Sequence, residues 1–329
     1  MTLSSTSRWQ GINKLVVVGI GLIGGSLATG LKARGVCKEV IGIARRQQIC
    51  EEAVALGIVD RAYVELAEIA SELSAGDVIF IAVPTLSVAA VFQQIKDTVS
   101  PSVTVTDGAS VKGSVQQAAE AVYGEVPAQL VLGHPIAGSE KSGVTAANPD
   151  LYEKHRVILT PLENTGAQHL ELVTHMWQAV GAEVLSMSVA EHDDVLAATS
   201  HLPHAIAYSL VDTLAKDIGN PNIFRYAAGG FRDFTRIASS DPVMWHDIMR
   251  ANKTSVLHAL DLFIDNLMRL RSGIEQENSE YLLEVFTRAK SARDHFTNVL
   301  AKKADLDRDN HSPVDTPAQP DSKIPGNSP

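Results

Sequence analysis

Eleven histidines are spread along this chain, and imidazole is the side chain whose unperturbed pKa lies nearest neutrality, so a general base is sought among them first. His134 stands out. It follows the apolar run Leu130-Val131-Leu132 and opens a polar stretch, GHPIAGSEKSG at 133–143, where a strand is expected to end and a loop to begin. Open α/β sheets bind ligands at the carboxyl ends of their strands. A second such edge reads Thr106-Asp107-Gly108-Ala109-Ser110, and there the Ser110 hydroxyl could orient the histidine or a bound cofactor. His201 and His204 are spaced to share one helical face. That spacing could hold a metal, but no third ligand stands nearby, so the pair is read as hydrogen-bonding groups and no metal is expected. Farther on, the glycine pair Gly229-Gly230 interrupts a helical region at a cost in stability. The stretch it opens carries Arg232 and Arg236, two guanidinium forks suited to a carboxylate.

A second constellation binds rather than reacts. Leu15-Val16-Val17-Val18 is followed at once by Gly19-Ile20-Gly21-Leu22-Ile23-Gly24 and then by a helical run to Arg34. A GxGxxG pattern is weak alone and gains weight between a buried strand and a helix. Gly19 makes the tight turn, Gly21 lets a pyrophosphate approach the backbone, and Gly24 lets helix and strand pack closely. Leu22 and Ile23 stand at the helix N-terminus, whose free N–H groups favour phosphate. Val83, ending the run from Val78, and Asp107 are grouped with this cofactor site. After the second strand, Val40 to Ile43, an acid would hold the ribose of NAD, but Ala44-Arg45-Arg46 stand there instead. The expectation is therefore NAD or NADP, leaning towards NADP through Arg45 and Arg46.

The elements that must position these groups follow from periodicity. Apolar β-branched runs recur at Val78–Val83, Val103–Thr106, Leu130–Leu132, Val157–Thr160 and Val184–Met187 with helical stretches between most of them, the rhythm of a doubly wound α/β sheet. After Met187 the pattern becomes helical. Ala190 to Lys216 reads as one helix kinked ahead of Pro203. Val256, Leu260, Phe263, Leu267 and Leu270 form one apolar stripe, and Leu282, Phe286, Ala289, Arg293 and Phe296 a looser one. These are read mainly as core, with a part at a subunit interface. The expected domains are 12–187, dinucleotide-binding; 188–304, all-helical; and 305–329, a disordered tail rich in proline.

Composition narrows the functions. Acids outnumber bases, 38 to 28, for a net charge of −10, which argues against general nucleic-acid binding, since that rests on Lys and Arg neutralising phosphates. Two cysteines cannot build a disulfide framework. No stretch reaches the ~18 uninterrupted apolar residues of a membrane span. Met1 to Gln10 is polar, so a cytoplasmic protein with no membrane partner is expected.

Five segments in series, GIGLIGGSL (19–27), TDGASVKG (106–113), GHPIAGSEKSG (133–143), SHLPH (200–204) and GGFRDFTRIASSDPVMW (229–245), resemble the prephenate and arogenate dehydrogenases of tyrosine biosynthesis. The resemblance runs from about Lys14 to Phe296. It implies a Rossmann domain joined to an all-helical domain that makes a homodimer, and a small-molecule substrate, prephenate or arogenate. It also implies that His134 is the catalytic histidine, that Ser110 hydrogen-bonds near it, and that Arg236 binds a substrate carboxylate. His201, His204, Ser139, Glu140, Asp233 and Trp245 would line or support the pocket. Two other readings remain open at this stage. Other reductases with a Rossmann half and a helical half would lack GHPIAGSEKSG, and a dinucleotide sensor without catalysis would have a blocked pocket.

Overall fold

The computed structural model describes residue 9 and residues 11–138, 141–216 and 224–309. Six parallel strands, β1 (Ile12–Val18), β2 (Cys37–Ile43), β3 (Arg61–Tyr63), β4 (Val78–Ile81), β5 (Thr104–Asp107) and β6 (Leu130–Val131), form one sheet in the order β3-β2-β1-β4-β5-β6. The order reverses at β1 and β4, the switch point where doubly wound sheets open a crevice. In β1, Leu15 and Val17 enter one core while Val16 and Val18 enter the other. β4 repeats this with Val78 and Phe80 against Ile79 and Ile81. Strands covered on both faces need unbroken apolar runs, which is why the sequence pattern shows them. α1 (Leu22–Ala33), α2 (Gln47–Ala55), α3 (Val88–Thr98), α4 (Lys112–Tyr123) and α5 (Ala167–Ala179) follow in chain order. α1 and α5 fill the first core with Leu27, Leu31, Met176 and Trp177, while α3 and α4 fill the second with Phe92, Ile95, Val115 and Ala119. Each of the larger side chains among these contributes about 1.5–3 kcal/mol by leaving water.

Two strands escape the pattern. β3 has no apolar run and is an edge strand, tied down by Arg61 to Glu39 at 2.8 Å and to Glu72 at 2.7 Å. The segment expected to be a loop after Leu132 is instead β7 (Gly133–Ile136), which pairs antiparallel with β8 (Arg156–Leu159) and so starts a second sheet completed by β9 (Glu183–Ser186). Pro135 is tolerated because β7 is the edge of that sheet, where a missing N–H costs no ladder bond. His134 therefore sits opposite Ile158 in a strand.

Beyond β9 the described residues form helices and their connecting turns, with no further strand. α6 (Val189–Leu196) and α7 (Leu202–Ala215) are one helical run joined by a π-helical turn, Ala197–His201, directly before Pro203. Leu202 N–H reaches back five residues to Ala197 O, the wider spacing of a π-helical turn, and Pro203 has no N–H with which to continue the ladder. α8 (Gly229–Thr235), α9 (Pro242–Ala251), α10 (Lys253–Glu275) and α11 (Ser279–Asp309) complete the chain. α11 continues past Asp305, where a disordered tail was expected to begin; from 310 on the expected tail lies outside the described residues.

The described chain divides into two compact units, one up to Asp261 and one from Leu262. In the second, α10 and α11 approach so closely that a methyl on Gly273 would stand 2.7 Å from the Tyr281 ring. Of the stripes read as core, Val256 is buried but Leu267, Phe286 and Phe296 are about half exposed. A two-helix unit has too little interior to cover them.

One buried ion pair joins the pieces that matter for the site. Asp107, ending β5, and Lys112, opening α4, are both fully buried and bonded to each other. Between them they grip Gly133: its N–H donates to Asp107 at 3.1 Å and its carbonyl accepts from Lys112 Nζ at 2.5 Å. Removing one partner of such a pair leaves a bare buried charge, so Lys112→Met is expected to lower the unfolding free energy by about 3–5 kcal/mol in urea titration, and a loss under about 1 kcal/mol would show that the pair is dispensable.

Candidate active site

The glycine turn after β1 has the three properties asked of it. Gly19 has φ +100°, and a Cβ there would meet the Ala82 carbonyl oxygen at 2.5 Å. A Cβ on Gly24 would come within 2.2 Å of Gly19 O and 2.6 Å of Val17 Cγ1, so only glycine lets α1 rest on β1. Gly21 faces open space, with nothing within 4 Å of a Cβ. It is also the N-cap of α1 and supplies no side-chain cap, so the helix offers its first N–H groups and partial positive charge to an anion. This cradle fits the pyrophosphate of a dinucleotide. Leu22 and Ile23 are half-buried at its rim, and Val83 packs against the turn, with Cγ1 3.2 Å from the position of a Gly19 Cβ. Arg45 and Arg46 are exposed after β2, and neither guanidinium has a partner among the described residues. Asp107 does not belong with them. Its carboxylate is fully buried and taken up by Lys112, Gly133 and the Ala109 N–H, so it supports the site instead of touching a cofactor.

At the neighbouring strand ends a second set of groups converges on His134. Its Nδ1 lies 2.9 Å from His192 Nε2, and His192 Nδ1 lies 2.8 Å from Asp193 Oδ1. Asp193 then accepts the backbone N–H groups of Lys112 and Gly113, each at 2.8 Å. A carboxylate on α6 thus caps the N-terminus of α4, which has no side-chain cap of its own. Gly113 makes room for it, since a Cβ there would stand 2.7 Å from Asp193 Oδ2. Burial would raise the Asp193 pKa, but the bonds from His192 and the two N–H groups outweigh it and hold the carboxyl below its ordinary value. Burial, with His192, Lys112 and His201 adding to it, pushes the His134 pKa well below its ordinary value. His134 is therefore neutral near pH 7 and free to accept a proton.

The helical elements contribute the remaining groups. His201, in the π-helical turn, is buried, and its Nδ1 lies 3.2 Å from the Asn252 amide nitrogen, which also donates to Asp193 O at 2.8 Å. Burial lowers the His201 pKa to about 4. A carbonyl can only accept, so the Asn252 nitrogen must be the donor to His201, and His201 carries its own proton on Nε2. His204 stacks on Trp245 with ring centroids 3.6 Å apart and donates through Nδ1 to Ser200 O at 2.8 Å. The Trp245 indole N–H is buried without a hydrogen-bond partner among the described residues, an unusual state for a buried donor. Arg236 is exposed in the turn after α8 and close enough to His204 to depress its pKa further, after burial. Asp233 is exposed on α8. Ser110 is half-buried and makes no bond to His134 among the described residues, whose Nδ1 is held by His192 instead. Ser139 and Glu140 lie outside the described residues. His192, Asp193, Lys112 and Asn252 were not singled out in the sequence, because nothing in spacing connects His192 to a strand 58 residues earlier.

A dinucleotide cradle at a sheet's switch point, beside a buried neutral histidine, defines an oxidoreductase of the nicotinamide-dependent kind. The family described as "Prephenate dehydrogenase, nucleotide-binding domain" matches residues 27–186, and "Prephenate dehydrogenase, dimerization domain" matches 188–288. The chain belongs to the prephenate dehydrogenase family. It is 35% identical over 297 residues to the cyclohexadienyl dehydrogenase of Zymomonas mobilis, covering 89% of this chain and 97% of that one. With the prephenate dehydrogenase of Bacillus subtilis identity is 37%, covering 85% and 75%. The crystal structure of the Aquifex aeolicus prephenate dehydrogenase with hydroxyphenyl propionate and NAD+ superposes with a TM-score of 0.81 at 36% identity, over 88% of this chain and all of that one. The Synechocystis arogenate dehydrogenase structure gives 0.72 at 29% identity, over 86% and 99%.

The glycine geometry separates binding from folding. Gly21→Ala should leave the melting temperature unchanged while weakening dinucleotide binding at least about tenfold, because the new methyl stands where the pyrophosphate comes closest. Gly24→Ala should instead lower the melting temperature. Calorimetric titration and thermal melts of the two variants check both, and equal melting losses would contradict the division of roles.

Proposed function

We propose that this chain catalyses the nicotinamide-dependent oxidative decarboxylation of prephenate to 4-hydroxyphenylpyruvate, with arogenate as a second substrate. The observation that carries the proposal is His134: buried, bonded at Nδ1 to His192, and placed just past the carboxyl end of β6, the last strand of the sheet that also carries the glycine turn. When bound, the nicotinamide supplies the acceptor for a hydride from the hydroxyl-bearing ring carbon. His134 takes the hydroxyl proton as the carbon–oxygen double bond forms. As the ring carboxylate leaves as carbon dioxide, its bonding pair moves through the ring to the carbonyl oxygen, which takes the proton back from His134; the aromatic phenol so formed drives the reaction. Arg236 pairs with a substrate carboxylate, and His201 offers an Nε2–H donor. Trp245, with His204 stacked on it, supplies a flat apolar wall and one free indole donor. Acceptance of arogenate is supported by the cyclohexadienyl and arogenate dehydrogenases among the relatives.

The exposed apolar residues of the second unit, among them Leu262, Leu267 and Phe286, support a homodimer built on the segment matched by the family's dimerization domain. The meeting of the two family segments at 186 and 188 supports a functional division after Met187. Among the described residues no helix is long and apolar enough to cross a membrane, and we place the enzyme in the cytoplasm.

Reduced nicotinamide appearing with prephenate or arogenate, for either cofactor, tests the activity; folded protein that turns over neither overturns it. His134→Asn should lower kcat by about 10²-fold or more, the usual cost of losing a general base, with dinucleotide affinity unchanged. Near-normal turnover would assign the base elsewhere.

Cofactor choice follows from β2, which ends without an acid to hold the ribose or repel a 2′-phosphate. NADP should be used at least as well as NAD, through the unpartnered Arg45 and Arg46. The Aquifex structure contains NAD+, so the comparison must be made on this chain. Replacing both arginines with Ala should reduce kcat/KM for NADP selectively. A wild-type preference for NAD of about tenfold, equal to ~1.4 kcal/mol, that survives the substitutions would show that the arginines do not touch the cofactor.

A further inference from the structure

We propose that His192 is a positioning residue that locks His134 in the tautomer able to accept the substrate proton. The inference rests on reading His134 as the base and goes beyond it, because an imidazole in a fixed place still has two neutral forms and only one of them is useful.

The protons can be placed by elimination along the chain of contacts. Asp193 is ionised and can only accept, so the 2.8 Å contact from His192 Nδ1 requires a proton on that nitrogen. His192 is fully buried, and burial holds its pKa down in spite of the carboxylate beside it. A neutral His192 with its proton on Nδ1 has a bare lone pair on Nε2. The 2.9 Å contact to His134 is then a hydrogen bond only if His134 Nδ1 is the donor. His134 Nε2 is left without a proton, which is the form that accepts one from a hydroxyl. In the reaction that hydroxyl proton moves to Nε2, the imidazolium forms, and its Nδ1–H stays bonded to His192. The oxygen–hydrogen bond breaks and the nitrogen–hydrogen bond forms with nothing else consumed.

The register of this chain is protected from both ends. Asp193 is held by the N–H groups of Lys112 and Gly113, so its oxygens cannot turn away from His192. His134 is held by its strand, whose first residue is gripped by Asp107 and Lys112. The titratable and charged groups facing the two imidazoles are therefore Asp193 from α6, Lys112 from α4, Asp107 from β5 and His201 from the π-helical turn. The first of them decides which nitrogen of His192 is protonated, because it alone is bonded to that ring. Serine–histidine–aspartate sites use a carboxylate directly for this purpose; here an imidazole stands between.

The test compares His192→Leu and His192→Gln in the full-length protein. Leucine keeps bulk and removes the acceptor, so kcat should fall about 10- to 100-fold with KM changed less than about twofold. Glutamine restores an acceptor oxygen towards His134 and a donor towards Asp193, so it should recover kcat to within about tenfold of wild type. Nitrogen-15 NMR of histidine-labelled protein, with His134 assigned through His134→Asn, reads the tautomer independently of turnover. The expected result is a protonated Nδ1 and bare Nε2 in wild type and in the glutamine variant, and a mixture or the reverse in the leucine variant. In the double variant His134→Asn with His192→Leu, kcat should be no lower than with His134→Asn alone, since a positioning residue has nothing left to position. If His134→Asn is inactive but His192→Leu keeps both its tautomer and its kcat, the positioning role is wrong while the base reading stands. If His134→Asn turns over normally, the base reading falls and takes this proposal with it.

Discussion

The Asp107–Lys112 pair is the constraint on which the site is built. Burying two charges costs several kcal/mol per ion before their attraction repays it, so the pair survives only because further polar groups satisfy it. Asp107 also accepts from Ala109 and Gly133, and Lys112 also donates to Gly133. Those bonds clamp the end of β5, the start of α4 and the start of β7 into one piece. The residue after Gly133 is His134, whose position is thereby set by backbone bonds on its N-terminal side and not by its own side chain.

A second carboxylate extends the same network into the helices. Asp193 spends its lone pairs on the N-terminus of α4 and on His192, and Asn252 reads the Asp193 carbonyl while bonding His201. Cap, imidazole pair and amide are thus one connected system in which almost every lone pair and proton is used. Such networks are worth having only when complete, since a half-satisfied one is costlier than apolar packing. Trp245 Nε1, one of several buried polar atoms without a partner among the described residues, lies beside the His201 and His204 rings.

The cofactor side works by the opposite means. There the sequence removes atoms: Gly19 avoids the Ala82 carbonyl, Gly24 avoids Gly19, and Gly21 leaves a gap. Partial positive charge is supplied there by the backbone of α1, and Arg45 and Arg46 stand exposed after β2 with no partner among the described residues. The two halves meet because the ends of β1, β4, β5 and β6 lie along one carboxyl edge. A hydride donor and a dinucleotide need such an edge, where backbone N–H groups and side chains from several strands converge.

Much of this was legible in the amino-acid order. Strands covered on both faces declare themselves as unbroken apolar runs, which placed β1, β2, β4 and β5; the glycine spacing placed the cradle; and Pro203 announced an irregular turn that proved to be π-helical. Local chemistry dictates these features, so a short window contains them. The rest needed the fold. β7 looks like a loop because proline, glycine and histidine have poor strand preference, and only pairing with β8 makes it a strand. Asp107 looks like a cofactor ligand until its burial beneath Lys112 is known. His192 and Asp193 are an ordinary polar pair on a helix until the chain returns to bring them to His134 and to the head of α4. Which nitrogen of His134 is bare depends on contacts spanning 58 residues and more, and hydrogen bonds between distant segments leave no periodicity in a sequence, because they are decided by where whole elements pack.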